Sequence, residues 1–200
     1  ERLIHENSSF AFDFGNGPEL VTCAGTDGKL TAFDRITWFV ETASEDVAVA
    51  QLDQAAKACG IDPMAIVEEE IMAREELRQL LMDPLASLGA HTMTHPNLAR
   101  VCEERLGVEM RQSAELISRY VGRPVTTFSY PYGNKRAVSS REIKAAEDHG
   151  FAVAVTTQPG VLSRESLKRP TAFNRVPLNG YYQSANYVRA LMSGVPFRFA

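Results

Sequence analysis

Hydrophobic and turn-forming positions alternate at short intervals over the first 30 residues of the chain. Glycine, proline, asparagine and aspartate are frequent there, which predicts irregular or short β structure, with hairpin-like segments around residues 20–22. From about Thr31 the apolar spacing becomes helical and predicts an amphipathic helix whose apolar positions are Phe33, Ile36, Trp38, Phe39 and Val40. Residues 47–59 repeat this pattern, and Asp62 followed by Pro63 predicts the start of a third helix.

Short apolar segments and amphipathic segments alternate after the third predicted helix. Residues 85–90 and 125–130 have the composition of short strands, and residues 106–121 between them have the spacing of an amphipathic helix. A capping-box pattern at residues 139–142 starts another helix, and residues 151–157 predict a third, buried strand. Strands that alternate with helices are typical of a parallel sheet with crossover helices, so the sequence itself predicts an α/β fold.

The composition is that of an ordinary globular protein, with 44% hydrophobic and 23% charged residues among 200. The formal net charge of -4 argues against nucleic acid or an anionic membrane as a partner, and no apolar run is long enough to span a bilayer. The three cysteines are widely spaced and form neither a disulfide framework nor a zinc ribbon. This usage fits a reducing compartment, and we therefore expect a cytoplasmic protein.

Two of the four histidines, His91 and His95, lie four residues apart directly after the predicted strand 85–90. Converging neutral imidazoles are a common way to hold a transition metal. Because Pro96 disfavours a helical conformation for His95, we place the pair on a strand-to-helix turn. From the spacing alone, metal ligands and ordinary loop histidines are equally good interpretations. The helical zinc-protease motif is excluded because Thr92 stands where that motif requires glutamate.

A turn-forming segment follows the strand predicted at residues 125–130. It contains Pro131, Tyr132 and Gly133, and an ordinary turn after a strand is one interpretation of it. The other interpretation is functional, because sites in parallel sheets form at the carboxyl ends of the strands. His91 and Tyr132 both follow predicted strand ends, so we expect them to share one face of the sheet.

These two segments together carry a family resemblance. Residues 91–96, HTMTHP, resemble the metal motif H-[ST]-x-x-H-P of the polysaccharide deacetylases, which are the NodB-homology family or carbohydrate esterase family 4. Residues 128–133, FSYPYG, resemble the F-x-Y-P-Y-G motif of the same family. Residues 150–160 and 174–180 are similar to its later blocks. The resemblance covers residues 70–195, and the two site motifs make it specific only when they are taken together.

The resemblance implies both a fold and a division of the chain. The implied fold is an α/β fold, a seven-stranded (β/α) barrel of the NodB-homology type that is incomplete on its N-terminal side. We interpret residues 1–70 as an N-terminal β/helical insertion region. Residues 71–200 are then the C-terminal part of a polysaccharide deacetylase domain. An apolar surface left by a missing strand would favour self-association, so we expect a homo-oligomer.

The resemblance also implies a reaction, the hydrolytic removal of acetyl groups from N- or O-acetylated poly- or oligosaccharides such as chitooligosaccharides. It implies a divalent metal, usually zinc, held by His91, His95 and an aspartate. A second aspartate would be the general base. The backbone N–H of Tyr132 would stabilise the oxyanion, in a turn that is stiffened by Pro131. Arg175 would orient an active-site carboxylate, and a surface ion pair is its alternative interpretation.

Two parts of the family pattern are absent from this sequence. The T-F-D-D-G motif, which supplies both aspartates, has one look-alike at residues 12–15, where Phe14 cannot bind a metal. We interpret that look-alike as a coincidence and expect the true motif upstream of Glu1. The late L-x-H motif, which supplies a general acid, has no counterpart in residues 161–175. His149 is interpreted as an exposed residue at a helix end, where a cation suits the helix dipole.

Three hypotheses follow for the function. The leading hypothesis is a metal-dependent deacetylase, of which this chain is an inactive fragment if the aspartate motif lies upstream. The second is a non-catalytic carbohydrate-binding domain of the same fold. For both of these the expected partner is an acetylated oligo- or polysaccharide. In the third hypothesis the two histidines simply pack, and the domain binds no metal.

Overall fold

The computed structural model describes residues 1–178, 180 and 183–198, and the chain forms two units, Glu1–Ala73 and Arg74–Ala200. Each unit has a hydrophobic core of its own. Asn179, which belongs to the segment similar to the last family block, lies outside the described residues. Over the described ranges, no helix combines the length and the apolar character that crossing a membrane requires.

The first unit contains a β-hairpin and helices. Its elements are α1 (Arg2–Glu6), β1 (Ser9–Asp13), β2 (Pro18–Thr22), α2 (Gly25–Thr42), α3 (Glu45–Ala58) and α4 (Pro63–Glu70). The two strands are antiparallel, with Phe10 opposite Val21. The Asp62 side chain accepts a hydrogen bond from the backbone N–H of Met64, and Pro63 lies in the first turn of α4. The predicted hairpin and the predicted cap of α4 are therefore confirmed.

The prediction for the start of α2 is wrong. This helix begins at Gly25 and not near Thr31. Aspartate is common in turns, but Asp27 lies in the first turn of α2, where a carboxylate interacts favourably with the helix dipole. The predicted apolar side of α2 is only partly buried, since Phe39 lies in the core whereas the Trp38 side chain is 63% exposed.

The segment that resembles the aspartate motif closes the hairpin. Asp13 Oδ1 accepts hydrogen bonds from the backbone N–H groups of Gly15 (2.7 Å) and Gly17 (3.0 Å). The ring of Phe14 packs edge-on against Phe39, with 5.7 Å between the ring centroids. Asp13 therefore has a local role in the turn, and the hairpin accounts for the residue types of this segment.

The second unit contains a parallel sheet. Its helices and strands are α5 (Arg74–Leu80), α6 (Glu103–Val121), β3 (Thr127–Ser129), α7 (Ser140–Asp148), β4 (Val153–Pro159), β5 (Phe173–Arg175) and α8 (Ala185–Met192). Short 3-10 turns lie at Leu98–Arg100, Ser166–Lys168, Pro170–Ala172 and Val195–Arg198. The strand order is β3-β4-β5 and both pairings are parallel. The α/β prediction is confirmed, with β3 shorter than predicted and β4 shifted by two residues. In the described part of the chain, three strands form this sheet, fewer than the seven of the implied barrel.

The strand predicted at residues 85–90 is wrong except for its last residue. Only Ala90 pairs with the sheet: its N–H donates to Thr127 O and its carbonyl accepts from Ser129 N–H, both at 2.9 Å. The start of the segment belongs to a turn instead, because the N–H of Ala86 donates to the carbonyl of Asp83. The apolar composition predicts a strand here. In the structure, however, the N–H of Ala86 is hydrogen-bonded within the turn and is not available for pairing with a neighbouring strand.

The predicted capping box of α7 is confirmed, and it contains a buried carboxylate. Glu142 is 1% exposed and accepts hydrogen bonds from the N–H and the hydroxyl of Ser139 and from Arg141 Nε, each at 2.7 Å. Burial by itself raises the pKa of Glu142. The hydrogen bonds from Ser139 and Arg141 outweigh that effect and hold the pKa below its ordinary value of 4.5.

We expect this carboxylate to make the stability of the protein sensitive to acid. Because the folded-state pKa of Glu142 lies below the unfolded-state value, the carboxylate stabilises the fold above pH 4.5. That contribution is lost as the pH falls below 4.5 through the folded-state pKa. Urea unfolding of the wild type and of Glu142→Gln, from about pH 7 to about pH 3, should show the smaller loss of stability in the variant. The same pH dependence in both proteins would contradict this prediction.

Candidate metal centre at the carboxyl end of the sheet

His91 and His95 come together directly after the bridge made by Ala90, and their ring centroids are 4.8 Å apart. His91 Nδ1 lies 2.6 Å from the backbone oxygen of Ser129. Because a carbonyl oxygen only accepts hydrogen bonds, Nδ1 must carry the proton. In the neutral ring, Nε2 then presents a lone pair. A backbone carbonyl that fixes the tautomer in this way is typical of metal-binding histidines.

The His95 ring is held in the form that binds metals. Partial burial of the ring, together with the neighbouring His91, lowers the pKa of His95 below its ordinary value of 6.5. The ring is therefore neutral at physiological pH, as a metal ligand must be. Both histidines remain accessible to solvent, so an ion can reach them.

The loop that carries the two histidines has an unusual backbone. Thr92 and His95 have φ angles of 63° and 58°, in the left-handed region where a β-branched residue is an outlier. Such residues cost about 1–3 kcal/mol each and cluster at functional sites. The Thr92 hydroxyl donates to the carbonyl of His91 (2.6 Å) and accepts from the N–H of His95 (3.1 Å). The non-helical conformation predicted for His95 from Pro96 is confirmed.

Tyr132 lies beside His95, and their ring centroids are 5.2 Å apart. The N–H of Gly133 donates to the carbonyl of Pro131 at 2.6 Å, and Tyr132 between them has a φ of 59°. This arrangement is a γ-turn with positive φ at its centre, which is rare and strained. Pro131 is fully buried and anchors the turn. The structure thus brings His91, His95 and Tyr132 to one place, as the strand ends predict.

Thr157, which sequence reasoning missed, fixes this turn to β4. Its N–H donates to the carbonyl of Gly133 (2.9 Å) and its hydroxyl donates to the carbonyl of Tyr132 (2.7 Å). A Cβ atom at position 133 would lie 2.6 Å from the Thr157 nitrogen, so both the close approach and the φ of 62° require glycine. The position of Thr157 near the end of a buried strand is the signal that could have indicated it.

Tyr130 anchors the end of β3 from the core. Its hydroxyl donates to the carbonyl of Thr171 at 2.8 Å, and the side chain is 1% exposed. We expect Tyr130→Phe to lower the free energy of unfolding by about 1–3 kcal/mol, because the buried carbonyl loses its donor. Urea denaturation measures this loss. The control Tyr120→Phe keeps the ring that packs on Arg74 and should change stability little. A Tyr130→Phe protein as stable as the wild type would show that this bond is dispensable.

Arg175 lies at the end of β5, and His149 lies at the end of α7. Arg175 ends β5, and its Nε donates to the carbonyl of Thr156 at 2.8 Å, which joins β5 to β4. Its role in orienting a carboxylate stays a prediction. His149 is exposed at the end of α7, where its N–H donates to the carbonyl of Ala145 at 2.9 Å. The interpretation of His149 as an exposed helix-end residue is confirmed.

A buried glutamate that sequence reasoning also missed lies beneath the histidine loop. Glu109 on α6 is 5% exposed and accepts hydrogen bonds from the N–H groups of Met93 (2.8 Å) and Thr94 (3.0 Å) and from the Thr94 hydroxyl (2.6 Å). Burial alone raises the pKa of Glu109, but these bonds and the nearby Arg105 outweigh it and lower the pKa below 4.5. Its place next to Met110 on the apolar side of α6 is the signal that could have revealed it.

The side chains available to a metal are the two imidazoles. Across the described ranges, no group of three or more His, Cys, Asp and Glu side chains could hold a metal ion. Zinc accepts neutral imidazole nitrogens, and catalytic zinc sites leave a position for water or substrate. A ring pair with one tautomer fixed by a carbonyl fits that chemistry as two of the three protein ligands of such a site.

Comparison with known proteins identifies the family. The family model described as polysaccharide deacetylase matches residues 35–154, which is more than half of the chain. The chain therefore belongs to the polysaccharide deacetylase family. It is also similar to YxkH of Bacillus subtilis (strain 168), a protein named for the same family, with 29% identity over 94 residues. That match covers 47% of this chain and 32% of YxkH.

Solved structures of deacetylases share the fold. The deacetylase PplD from Streptococcus pyogenes, solved in complex with acetate, superposes with a TM-score of 0.55 at 18% identity, over 64% of this chain and 54% of PplD. A polysaccharide deacetylase from Bacillus cereus gives 0.53 at 19% identity, over 60% of this chain and 36% of that chain. The α/β fold is thus of the NodB type. The chain spans about half the length of PplD, and a smaller share of YxkH and of the Bacillus cereus deacetylase.

Proposed function

We propose that the protein is a metal-dependent hydrolase that removes acetyl groups from N-acetylated oligo- or polysaccharides, such as chitooligosaccharides. The observation that carries the proposal is the convergence of His91, His95 and Tyr132, with 4.8 Å and 5.2 Å between successive ring centroids. Family membership supports the same chemistry. In this proposal β3, β4 and β5 are part of a NodB-type (β/α) barrel in the whole protein.

The two histidines would hold the metal, with zinc as the first choice. A bound zinc ion lowers the pKa of its water and polarises the acetyl carbonyl. The Ser129 carbonyl keeps the proton on His91 Nδ1 and so leaves Nε2 for the ion. The Thr92 hydroxyl bridges the backbones of the two histidines and keeps both rings on one side of the loop.

The γ-turn would supply the oxyanion donor. Pro131 is buried and Thr157 pins the carbonyls of Tyr132 and Gly133, so the peptide between Pro131 and Tyr132 has a fixed orientation. A donor fixed before the reaction stabilises developing negative charge without reorganisation, and losing one such donor typically costs about 100- to 1000-fold in rate. Arg175 at the end of β5 would orient a carboxylate of the site.

The proposed activity is assigned to the protein as a whole, because this chain spans 32% of YxkH and 54% of PplD. The family pattern calls for two aspartates, of which one is the third metal ligand and the other is the general base. Asp13, the nearest look-alike in sequence, is committed to the hairpin turn of the first unit. Replacing candidate aspartates one at a time in protein expressed from the full open reading frame would identify the pair.

Acetate release from N-acetylated chitooligosaccharides in the presence of Zn²⁺ tests the proposal. Protein expressed from the full open reading frame should release acetate, the variant His91→Ala should not, and the control His149→Ala should remain active. Sugar binding without acetate release by the zinc-loaded protein would contradict the proposed deacetylase activity. That outcome would support the non-catalytic carbohydrate-binding domain instead.

A further inference from the structure

Glu109 holds the backbone between the two histidines. Its Oε2 accepts from the N–H groups of both Met93 and Thr94, and its Oε1 accepts from the Thr94 hydroxyl. Met93 and Thr94 are the two residues that separate Thr92 from His95, the two positions with left-handed φ. One buried carboxylate on α6 therefore fixes the middle of the strained loop.

The carboxylate is directed at the loop backbone and is saturated there. Both oxygens of Glu109 accept from loop donors, and Arg105 Nε lies 3.6 Å from Oε1. Glu109 is 5% exposed, on the buried side of the loop, whereas His91 and His95 are exposed residues. Glu109 is therefore placed to orient the loop and not to join the histidines as a ligand.

We propose that Glu109 is a positioning residue for the metal, which sets the separation and direction of the imidazoles of His91 and His95 by fixing the peptide groups of Met93 and Thr94. The inference rests on the proposed function, because it presupposes that this pair binds a metal. A loop with left-handed threonine and histidine keeps that conformation only when its surroundings fix it. Without the carboxylate, the N–H groups of Met93 and Thr94 lose their acceptor and the loop can relax.

Glu142 provides a matched control within the same unit. It is as buried as Glu109, it likewise accepts from a backbone N–H and from a hydroxyl, and each of the two carboxylates has an arginine beside it. Its partners belong to the cap of α7 and not to the histidine loop. Removing either carboxylate should lower the stability of the protein, but only the loss of Glu109 should lower its zinc affinity.

Calorimetric titration of this chain with Zn²⁺ tests the inference. We expect Glu109→Ala to lower zinc affinity by about 10- to 100-fold, the usual effect of losing a group that orients a ligand. Glu109→Gln should restore most of it, because its amide oxygen can accept both backbone N–H groups while its NH₂ donates to the Thr94 hydroxyl. Glu142→Ala should keep the wild-type affinity. The absorption spectrum of bound Co²⁺, which reports ligand geometry, should change in Glu109→Ala alone.

Each outcome bears on the inference. Wild-type zinc affinity in a folded Glu109→Ala protein, or an equal loss in Glu142→Ala, would overturn it while leaving the proposed function intact. A wild-type chain that binds no zinc would overturn the metal centre and this inference together. Should Glu109→Ala not fold, Thr94→Val removes the hydroxyl bond to Oε1 and the bond that Arg105 donates to the same hydroxyl, and it leaves the two backbone N–H bonds to Oε2 in place. A reduced zinc affinity in Thr94→Val then supports the inference, and an unchanged affinity overturns it.

Discussion

Replacing both His91 and His95 with alanine is expected to lower zinc affinity by more than about 100-fold, beyond the effect of losing an orienting group. The two imidazoles are the nitrogen donors that the structure brings together, at 4.8 Å between ring centroids. Both rings are exposed, so their loss should leave the fold largely intact. Equilibrium dialysis of the wild type and the double variant against Zn²⁺, with circular dichroism as a check on folding, measures the effect.

His149→Ala is the control for this experiment, because His149 is an exposed histidine at the end of α7. It should bind zinc as the wild type does. Equal zinc affinity in the wild type and the double variant would mean that the two rings only pack against one another. A comparable loss in His149→Ala would point to non-specific binding by surface histidines.

Gly133→Ala is expected to lower the free energy of unfolding by about 2–5 kcal/mol, through backbone strain and the loss of a hydrogen bond. Its φ of 62° disfavours any residue with a Cβ atom, and that atom would lie 2.6 Å from the Thr157 nitrogen. The contact must displace the N–H of Thr157 from the carbonyl of Gly133. The γ-turn that presents Tyr132 should therefore be disturbed together with stability.

Gly122→Ala separates the two causes of this effect. Gly122 ends α6 with a φ of 70°, and no atom lies within 4 Å of a Cβ built there. Its replacement should cost only the backbone strain, about 1–2 kcal/mol. Urea unfolding of both variants compares them directly. Equal losses in the two variants would show that the close approach of β4 to the turn contributes nothing.

Local sequence signals predict those elements whose ends are determined within a few residues. Ser139 and Glu142 specify the start of α7, and Gly122 specifies the end of α6, because the capping groups are close neighbours in the chain. The two site motifs are local as well, so His91, His95 and Tyr132 can be recognised before their meeting is seen. Their convergence follows from the parallel order of the strands.

Features that depend on distant partners cannot be predicted in the same way. The segment 85–89 has the composition of a strand, yet it starts in a turn and continues without regular secondary structure, and Leu85 is 94% exposed. In the sequence, Glu109 looks like any charged residue of a helix. Its role is set by a loop about 15 residues earlier in the chain. Thr157 likewise acquires its role from a turn that belongs to another strand. These roles depend on tertiary packing, which short-range periodicity does not encode.

Crystals of this chain grown with Zn²⁺, and measured for anomalous scattering at the zinc edge, would show directly whether His91 and His95 bind the metal. We expect a zinc peak at about 2.0–2.1 Å from His91 Nε2 and at the same distance from a ring nitrogen of His95. His91 Nδ1 should stay bonded to the Ser129 carbonyl. A peak bound only at other residues, or none beside this pair in zinc-soaked crystals, would show that His91 and His95 are not metal ligands.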